Sequence, residues 1–315
     1  MKELTVKKND AGRRADRFLS GVFPHLPTSL LAKAVRKKVI KRNNARLDAA
    51  DRLVEGDKIQ IYLPDSLLAP DEKKAYSLNI PELDGIVYED ENIVVVDKQP
   101  GLVVHEDESG SPDTLIARIQ AYVAAKGEWS PEAENSFAPA LCNRIDRNTG
   151  GLVIAAKTAE ALRDMNEIIK TRQVKKYYLC ALRGLMDPRD GTLRSFLRRN
   201  EKTKTVESFD APRPGAKTAV TEYRTLAVKD GLSLVECELV TGRTHQIRAQ
   251  LAAAGCPLRG DAKYGRADGI KTGQQLYAYK LDFSELQDGG SLSYLKNKSF
   301  ETKRPDFAKN FENTP

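Results

Sequence analysis

The pattern of apolar positions predicts a small helical and strand module in residues 1–64. Apolar residues recur at helical spacing in RADRFLSGVF and again in LLAKAVRKKV, and prolines 24 and 27 separate the two segments. Thr28 and Ser29 are residue types that cap the start of a helix, here the second one. Short alternating segments and turns follow, so we expect two helices and then strands. The second helix carries Lys33, Arg36 and Lys37, which form either an RNA contact or a solvated basic surface.

Residues 65–84 have the composition of a linker, with Pro70, Pro81 and acidic turns. Residues 85–310 then show many short apolar segments, most of them joined by turns, and residues 311–315 form a tail. Strands outnumber helices in this longer stretch. The pattern therefore predicts an α+β domain with a mixed, mainly antiparallel sheet flanked by helices.

Three helices are expected within this domain. PDTLIARIQAYVAAKG ends at a glycine, and TAEALRDMNEIIKTR begins after Thr158, a typical N-cap residue. The third is RTHQIRAQLAAAG, which we expect to open at Thr241-Gly242 and to close at Gly255.

Composition narrows the class of protein. Of the 315 residues, 40% are hydrophobic and 30% charged, and the net charge of +7 favours nucleic acid or other acidic partners only weakly. The four cysteines lie far apart and the start of the chain lacks an apolar leader, which predicts reduced thiols in a cytoplasmic protein. Three scattered histidines do not indicate a metal site, and we expect neither a metal nor a cofactor. A membrane partner is not expected either, and a monomer is favoured.

The stretch NRIDRNTGGL places one carboxylate, Asp146, between Arg144 and Arg147. If these residues are extended, Arg144 and Asp146 lie on one face and Arg147 on the other. A cation nearby stabilises the ionised form of a carboxylate, and such an aspartate can act as a nucleophile or an electrostatic stabiliser. A structural Arg-Asp pair that holds a turn would leave the same pattern.

The stretch VTGRTHQIRAQLAAAG offers a second set of polar groups. If it is helical from its start, Thr244, His245 and Arg248 share a face, whereas Arg243 lies elsewhere. Apolar residues Ile247, Leu251 and Ala254 would then face the core. A helix start favours anions, but polar residues at the beginning of a surface helix would look the same.

Adjacent tyrosines, Tyr177 and Tyr178, lie in a predicted strand, so one ring must face each side of the sheet. The phenol on the pocket side could move a proton or stack on a base, although half-buried packing is the commoner use of such a ring.

Four segments together resemble the RluA-type pseudouridine synthases. RIDRNTGGLVIAAK and TGRTHQIRAQLAAAGCPLRGDAKYG look like the two signatures of that family, and YEDENIVVVDKQPGLVVH is similar to its opening segment. KYYLCALRG resembles a further family segment and places the matching tyrosine at Tyr178. The resemblance covers about residues 85–307, and the N-terminal module resembles, more loosely, the S4-like RNA-binding domain of ribosomal members.

The resemblance implies an isomerase that converts uridine to pseudouridine in structured RNA. Asp146 would attack the flipped uridine, Arg248 would pair with Asp146, and Tyr178 would stack on the base and help to remove its C5 proton. Arg144 would fill the space that the flipped nucleotide leaves. Arg147, Arg243 and His245 are further expected RNA contacts.

The chain departs from the family pattern at several positions. Asn143 stands where the family usually has His, Gly150 where it has Ser, and Gln250 where His is common. The expected substrate is large-subunit ribosomal RNA. The alternatives are the same chemistry on transfer RNA, or a non-catalytic S4-type RNA-binding or ribosome-assembly protein.

Overall fold

The computed structural model describes residues 1–68, 80–106, 110–266, 269–270 and 273–311. Within these ranges no helix is long and apolar enough to cross a membrane. Two sheets organise the chain, one with four strands and one with eleven.

The four-stranded sheet belongs to residues 1–68, which we call the N-terminal unit. Its strands run in the order β1–β4–β2–β3, and helices α1 and α2 cover one face. The bounds are β1 Lys2–Thr5, α1 Ala15–Val22, α2 Thr28–Arg36, β2 Ile40–Arg42, β3 Ala45–Arg46, β4 Lys58–Ile61 and α3 Asp65–Leu68.

The two helices precede strands β2 to β4 as predicted, but the first strand, β1, comes before both helices and was not predicted. The predicted cap of α2 is wrong: Pro27 occupies the N-cap position, and no side chain makes a capping hydrogen bond there. The last helix, α3, lies inside the stretch expected to be a linker, and its Leu68 is buried in the core of the N-terminal unit. Pro70 lies outside the described residues, whereas Pro81 lies within them, in a segment without regular secondary structure.

The eleven-stranded sheet carries the rest of the chain. Nine of its strands form the path β11–β10–β12–β13–β9–β14–β8–β6–β5, while β15 pairs with β14 and β7 with β8. Pairing is antiparallel except between β14 and β8, which confirms the mixed, mainly antiparallel sheet of an α+β domain. The strands are β5 Ile86–Glu89, β6 Ile93–Lys98, β7 Ala140–Leu141, β8 Gly150–Ala156, β9 Lys175–Arg183, β10 Asp190–Asn200, β11 Thr205–Phe209, β12 Lys217–Lys229, β13 Leu232–Leu239, β14 Leu276–Asp282 and β15 Ser299–Glu301.

Helices pack on this sheet and complete the core. They are α4 Leu115–Ala125, α5 Ala159–Lys170, α6 Gln246–Ala253 and α7 Asp306–Lys309. Thr158 caps α5 as predicted, because its hydroxyl accepts a hydrogen bond from the Ala161 amide at 3.2 Å. Every residue of β8 is buried, so this strand supplies apolar side chains to the clusters on both faces of the sheet. The segment that precedes β8 is therefore joined directly to a fully buried strand.

Candidate active site

A cavity of about 910 Å³ opens where the segment before β8, the start of α6 and the strand β9 converge. Asp146, Tyr178, Arg144, Arg147 and Arg248 all border it. Arg147 was expected on the opposite side from Arg144 and Asp146. The chain turns at residues 147–148, so strict alternation ends there.

Asp146 and Arg248 are in direct contact although 102 residues separate them in the chain. The Arg248 Nη1 donates to Asp146 Oδ2 at 2.7 Å, and the His245 Nε2 lies 3.8 Å from the same oxygen. Both of these contacts are made to Oδ2. The Asp146 side chain is 27% exposed, whereas that of Arg248 is only 9% exposed. The guanidinium therefore holds the carboxylate from the protein side and leaves it accessible from the cavity.

A second carboxylate, Asp261, fixes the guanidinium itself. Arg248 Nε donates to Asp261 Oδ2 at 2.7 Å and Nη2 donates to Oδ1 at 2.9 Å, a bidentate pair that sets the plane of the guanidinium. Asp261 Oδ1 also accepts from the Lys263 amide at 3.0 Å. Burial acts against the ionised form of Asp261, but these contacts prevail and lower its pKa. The sequence reasoning missed Asp261, and the GDAKYG segment that follows the third predicted helix was the only signal for it.

Tyr178 is on the cavity side of β9 and Tyr177 is not, as the alternation of a strand requires. Burial, reinforced by the negative charge of Asp146, raises the pKa of the Tyr178 phenol well above its usual range. The phenol is therefore protonated in the free protein at neutral pH.

The helix that carries Arg248 begins later than predicted. Gln246 is its first residue, and His245 precedes it in a left-handed conformation with φ of 50°. Arg243, Thr244 and His245 are thus outside the helix, and Ala254, which was expected in the core, is exposed. The shared helical face proposed for Thr244, His245 and Arg248 is wrong, yet the turn brings all three to the cavity.

The turn is held by specific contacts. Thr244 Oγ1 accepts from Arg144 Nη2 at 3.1 Å, and Arg243 Nε donates to the Thr218 carbonyl at 3.0 Å. The His245 Nδ1 lies 2.7 Å from the Tyr264 hydroxyl, which also accepts from the Val206 amide. Burial lowers the pKa of His245, and the Asp146 charge only partly offsets this effect.

Lys98 stands behind the segment that carries Asp146. It is 1% exposed, and its Nζ donates to the carbonyls of Gln99, Leu102 and Arg147 at 3.0, 2.8 and 2.9 Å. Burial lowers the pKa of Lys98 to about 8, with Asp146 acting in the opposite direction. This lysine therefore ties the turn after Asp146 to the end of β6.

The departures from the family pattern have local explanations. Asn143 Oδ1 accepts from the Ile154 amide at 2.8 Å, and Gly150 lies against the ring of Tyr277. Gln250 is buried against β12, where its Nε2 donates to the Ala219 carbonyl at 3.2 Å and its Oε1 accepts from Thr221 Oγ1 at 2.7 Å. Of the three residues, Asn143 borders the cavity, and Gly150 and Gln250 do not.

The basic residues of the N-terminal unit are separate from the cavity. Lys33, Arg36 and Lys37 are all exposed and lie along α2 and at its C-terminal end. Among the described residues, no group of histidine, cysteine or acidic side chains has the arrangement of a metal site. The four cysteines are free thiols.

Known proteins are similar to this chain in sequence and in fold. The profile of a family described as RNA pseudouridylate synthase matches residues 92–253. A Neisseria meningitidis protein named ribosomal large subunit pseudouridine synthase D is 30% identical, over 92% of this chain and 77% of that one. An uncharacterized RNA pseudouridine synthase of Mycoplasma capricolum is 31% identical, over 98% and 99% of the two chains. The solved structure of human RNA pseudouridylate synthase domain containing 4 superposes with a TM-score of 0.56, covers 71% of this chain and 89% of that one, and is 23% identical, which shows a shared fold.

Proposed function

Because this chain belongs to the RNA pseudouridylate synthase family, we propose that it isomerises uridine to pseudouridine in large-subunit ribosomal RNA, with Asp146 as the catalytic carboxylate. The observation that carries the assignment is the Arg248 contact to Asp146 at 2.7 Å on the wall of the 910 Å³ cavity. A cavity of this size is in the range that holds a small ligand such as a single nucleotide. A uridine must leave its stack to reach this carboxylate.

The reaction needs an anionic group beside the sugar and a place for one proton. The bond between N1 and C1′ breaks, the bond between C5 and C1′ forms, and the proton lost from C5 is balanced by the proton gained at N1. Asp146 starts this sequence either at C1′, at C6 of the base, or by removing the C2′ proton. The contacts of Asp146 to Arg248 and His245 are both made by Oδ2. We therefore propose that Oδ1 is the oxygen that reacts with the substrate.

Tyr178 supplies a buried ring against which the base stacks, and its hydroxyl is the group proposed to help to remove the C5 proton. Because the pKa of this phenol is raised in the free protein, the hydroxyl keeps its proton until substrate binds. The phenol can accept the C5 proton only after it has lost its own proton. This requires that the bound substrate and the change of charge on Asp146 lower the pKa of Tyr178.

Ribosomal RNA as the substrate rests on the relatives and on the surface charge. Several similar proteins bear names of ribosomal large subunit pseudouridine synthases. Residues 1–64 are proposed to bind RNA through the exposed cations of α2, and Arg144 is proposed to fill the place of the flipped nucleotide. Arg147, Arg243 and His245 are proposed contacts to the target strand. A ribosomal substrate would place the enzyme in the cytoplasm, and we propose separately that the enzyme acts as a monomer.

The Asp146→Asn variant tests the assignment. We expect it to lose isomerisation by at least about 1000-fold while its affinity for RNA changes little, because the shape is kept and the charge is lost. Tritium release from C5-labelled uridine in RNA measures the rate, and filter binding measures affinity. Asp210→Asn, at an exposed position outside the cavity, is the matched control. Tritium release at the wild-type rate by Asp146→Asn would overturn the assignment.

A further inference from the structure

A fully buried carboxylate outside the active site, Asp10, joins the N-terminal unit to the large sheet domain. It ends the short 3₁₀ helix Lys8–Asp10 and is 0% exposed. Its Oδ1 accepts from Ser136 Oγ at 2.5 Å, and its Oδ2 accepts from Asn135 Nδ2 at 2.8 Å. Removing a buried charge from water is costly unless its oxygens are hydrogen-bonded, so this carboxylate requires Asn135 and Ser136 as partners.

The two residues that bond to Asp10 make further hydrogen bonds to the N-terminal unit. Asn135 Nδ2 also donates to the Thr5 carbonyl at 2.7 Å, and Arg13 Nη1 donates to Ser136 Oγ at 2.7 Å. Glu134 and Ala133, which precede Asn135 in the chain, also contact the N-terminal unit. Glu134 Oε1 accepts a hydrogen bond from Asn9 Nδ2 at 2.8 Å, and the Ala133 carbonyl accepts one from Lys7 Nζ.

A second anchor lies at the start of α5. Asn9 Oδ1 accepts from the Ala159 amide at 3.1 Å, so one side chain of the N-terminal unit bonds both to residue 134 and to a helix start. Close approach also depends on Gly21 in α1, since a Cβ there would lie 3.0 Å from the Cβ of Ser136. We call Asn9, Asp10, Arg13, Gly21 and residues 133–136 the Asp10 junction.

The junction is continuous with the catalytic segment. Residues 133–136 lead through β7, Ala140–Leu141, into the stretch that carries Asp146. The N-terminal unit is therefore bonded to the segment that leads, through β7, to the proposed nucleophile, and these bonds set the placement of the basic helix α2 relative to the cavity.

From this arrangement we propose that the Asp10 junction is a specificity determinant: it fixes the distance between the RNA-binding surface of α2 and Asp146, and so selects which uridine reaches the cavity. The inference rests on the proposed function. An RNA that contacts both α2 and the cavity must hold its target uridine at one fixed distance from the part that binds α2. If the N-terminal unit were released from the junction, RNAs with many such distances could bind, each at a lower effective concentration.

Asp10→Ala and Asp16→Ala form a matched pair of variants. Both remove one carboxylate from the N-terminal unit, but Asp16 is on the surface of α1 and pairs with Arg14 of the same unit. Each protein is assayed on transcribed large-subunit RNA and on the shortest hairpin around the mapped target that the wild-type enzyme still modifies. Pseudouridine mapping by sequencing gives the sites and the rates.

We expect Asp10→Ala to lose at least about 10-fold in kcat/KM at the native site of the long RNA, to modify uridines that the wild type ignores, and to keep the hairpin rate within about 2-fold. Asp16→Ala should match the wild type on both RNAs. An unchanged site pattern for Asp10→Ala, or an equal loss on the long RNA and the hairpin, would overturn the proposal.

Solution scattering separates this proposal from the proposed function. We expect a larger radius of gyration for Asp10→Ala than for Asp16→Ala, whatever the catalytic activity. Should Asp10→Ala not fold, Ser136→Ala removes the partner from the other side and should give the same shift of sites. A wild-type protein that forms no pseudouridine would remove the proposed function, whereas identical scattering from both variants would remove the junction alone.

Discussion

Arg248 divides its donors between two carboxylates with different surroundings. Asp146 receives one contact and is partly exposed to the cavity, whereas Asp261 receives two and is 1% exposed. The Arg248 guanidinium also lies over the Tyr264 ring, 5.1 Å from its centroid. A cation held in this way can orient Asp146 without adjusting its own position when substrate binds, and Asp261 is thus a positioning residue.

Asp261→Asn should lower kcat by about 10- to 100-fold, because a displacement of Arg248 by a fraction of an ångström misplaces Asp146. KM should stay within about 2-fold, because neither Asp261 nor Arg248 is a proposed RNA contact. Steady-state kinetics of tritium release measures both parameters, and Asp210→Asn serves again as the control. A rise in KM with unchanged kcat would show that Asp261 acts on RNA binding instead.

Lys98 illustrates the cost in stability of a buried cation next to the segment that carries Asp146. Its folded pKa of about 8 lies below the usual 10.5, so between these two values the unfolded chain binds more protons than the folded chain. Stability of the wild type therefore gains from this residue as pH rises from about 8 to 10.5, by on the order of 3 kcal/mol. Below pH 8 the full penalty of the buried ammonium is present.

Lys98→Met should remove that rise. The difference in unfolding free energy between the wild type and Lys98→Met is expected to change across pH 8 to 10.5 and to be constant from pH 5 to 7. Urea unfolding at several pH values measures it, with the exposed Lys170→Met as control. A difference that does not vary with pH above 8 would show that Lys98 is not a buried cation.

At the scale of elements, local patterns predicted most of the helices and strands. The Thr158 cap, the alternation around Tyr178 and the two helices of the N-terminal unit all depend on neighbours in the sequence. The start of α6 was wrong for a reason that is also local. Gln246 accepts from the Arg243 amide at 3.0 Å and His245 adopts a left-handed conformation, so the turn TGRTH replaces the expected first helical turn.

Contacts over long distances in the sequence could not be read from periodicity. The pairing of Asp146 with Arg248 was expected only from family resemblance, and Asp261 was not expected at all. Six consecutive residues of α6 are buried, polar ones included, because Gln246 and Gln250 bond to β12. A helix with this distribution has no apolar face from which its orientation could be deduced.

Gly150 gives a test at the junction of β8 and β14. A Cβ at Gly150 would lie 2.3 Å from Tyr277 Cε2, and the Tyr277 hydroxyl is fixed by a 2.7 Å bond to Asp97 Oδ1. Gly150→Ser, which restores the usual family residue, should therefore destabilise the protein by about 1–3 kcal/mol. In a Tyr277→Ala background the same change should cost less. Urea unfolding of the wild type, the two single variants and the double variant gives the coupling free energy between residues 150 and 277. Additive effects of the two changes on the unfolding free energy would contradict this explanation.

At the scale of the molecule, two surfaces are proposed to contact RNA. The cavity contains the proposed chemistry and is bordered by Arg144, Arg147 and Arg243, while the exposed cations of α2 lie on the N-terminal unit. A net charge of +7 attracts RNA in general, but only the distribution of the charges over the surface can determine where the RNA binds. Each phosphate contact releases condensed counterions, so the dependence of affinity on salt counts the contacts that a surface makes.

The triple change Lys33→Gln, Arg36→Gln and Lys37→Gln should reduce the slope of log affinity against log salt by about 2 to 3, because three phosphate contacts are lost. Affinity is measured by filter binding on large-subunit RNA over a range of salt concentrations. Lys170→Gln, Arg172→Gln and Lys296→Gln alter the net charge equally at exposed positions outside the N-terminal unit. If both triple variants lower the slope by the same amount, α2 contributes only bulk charge. A loss confined to the α2 variant would instead establish a local contact, because bulk charge would affect both proteins alike.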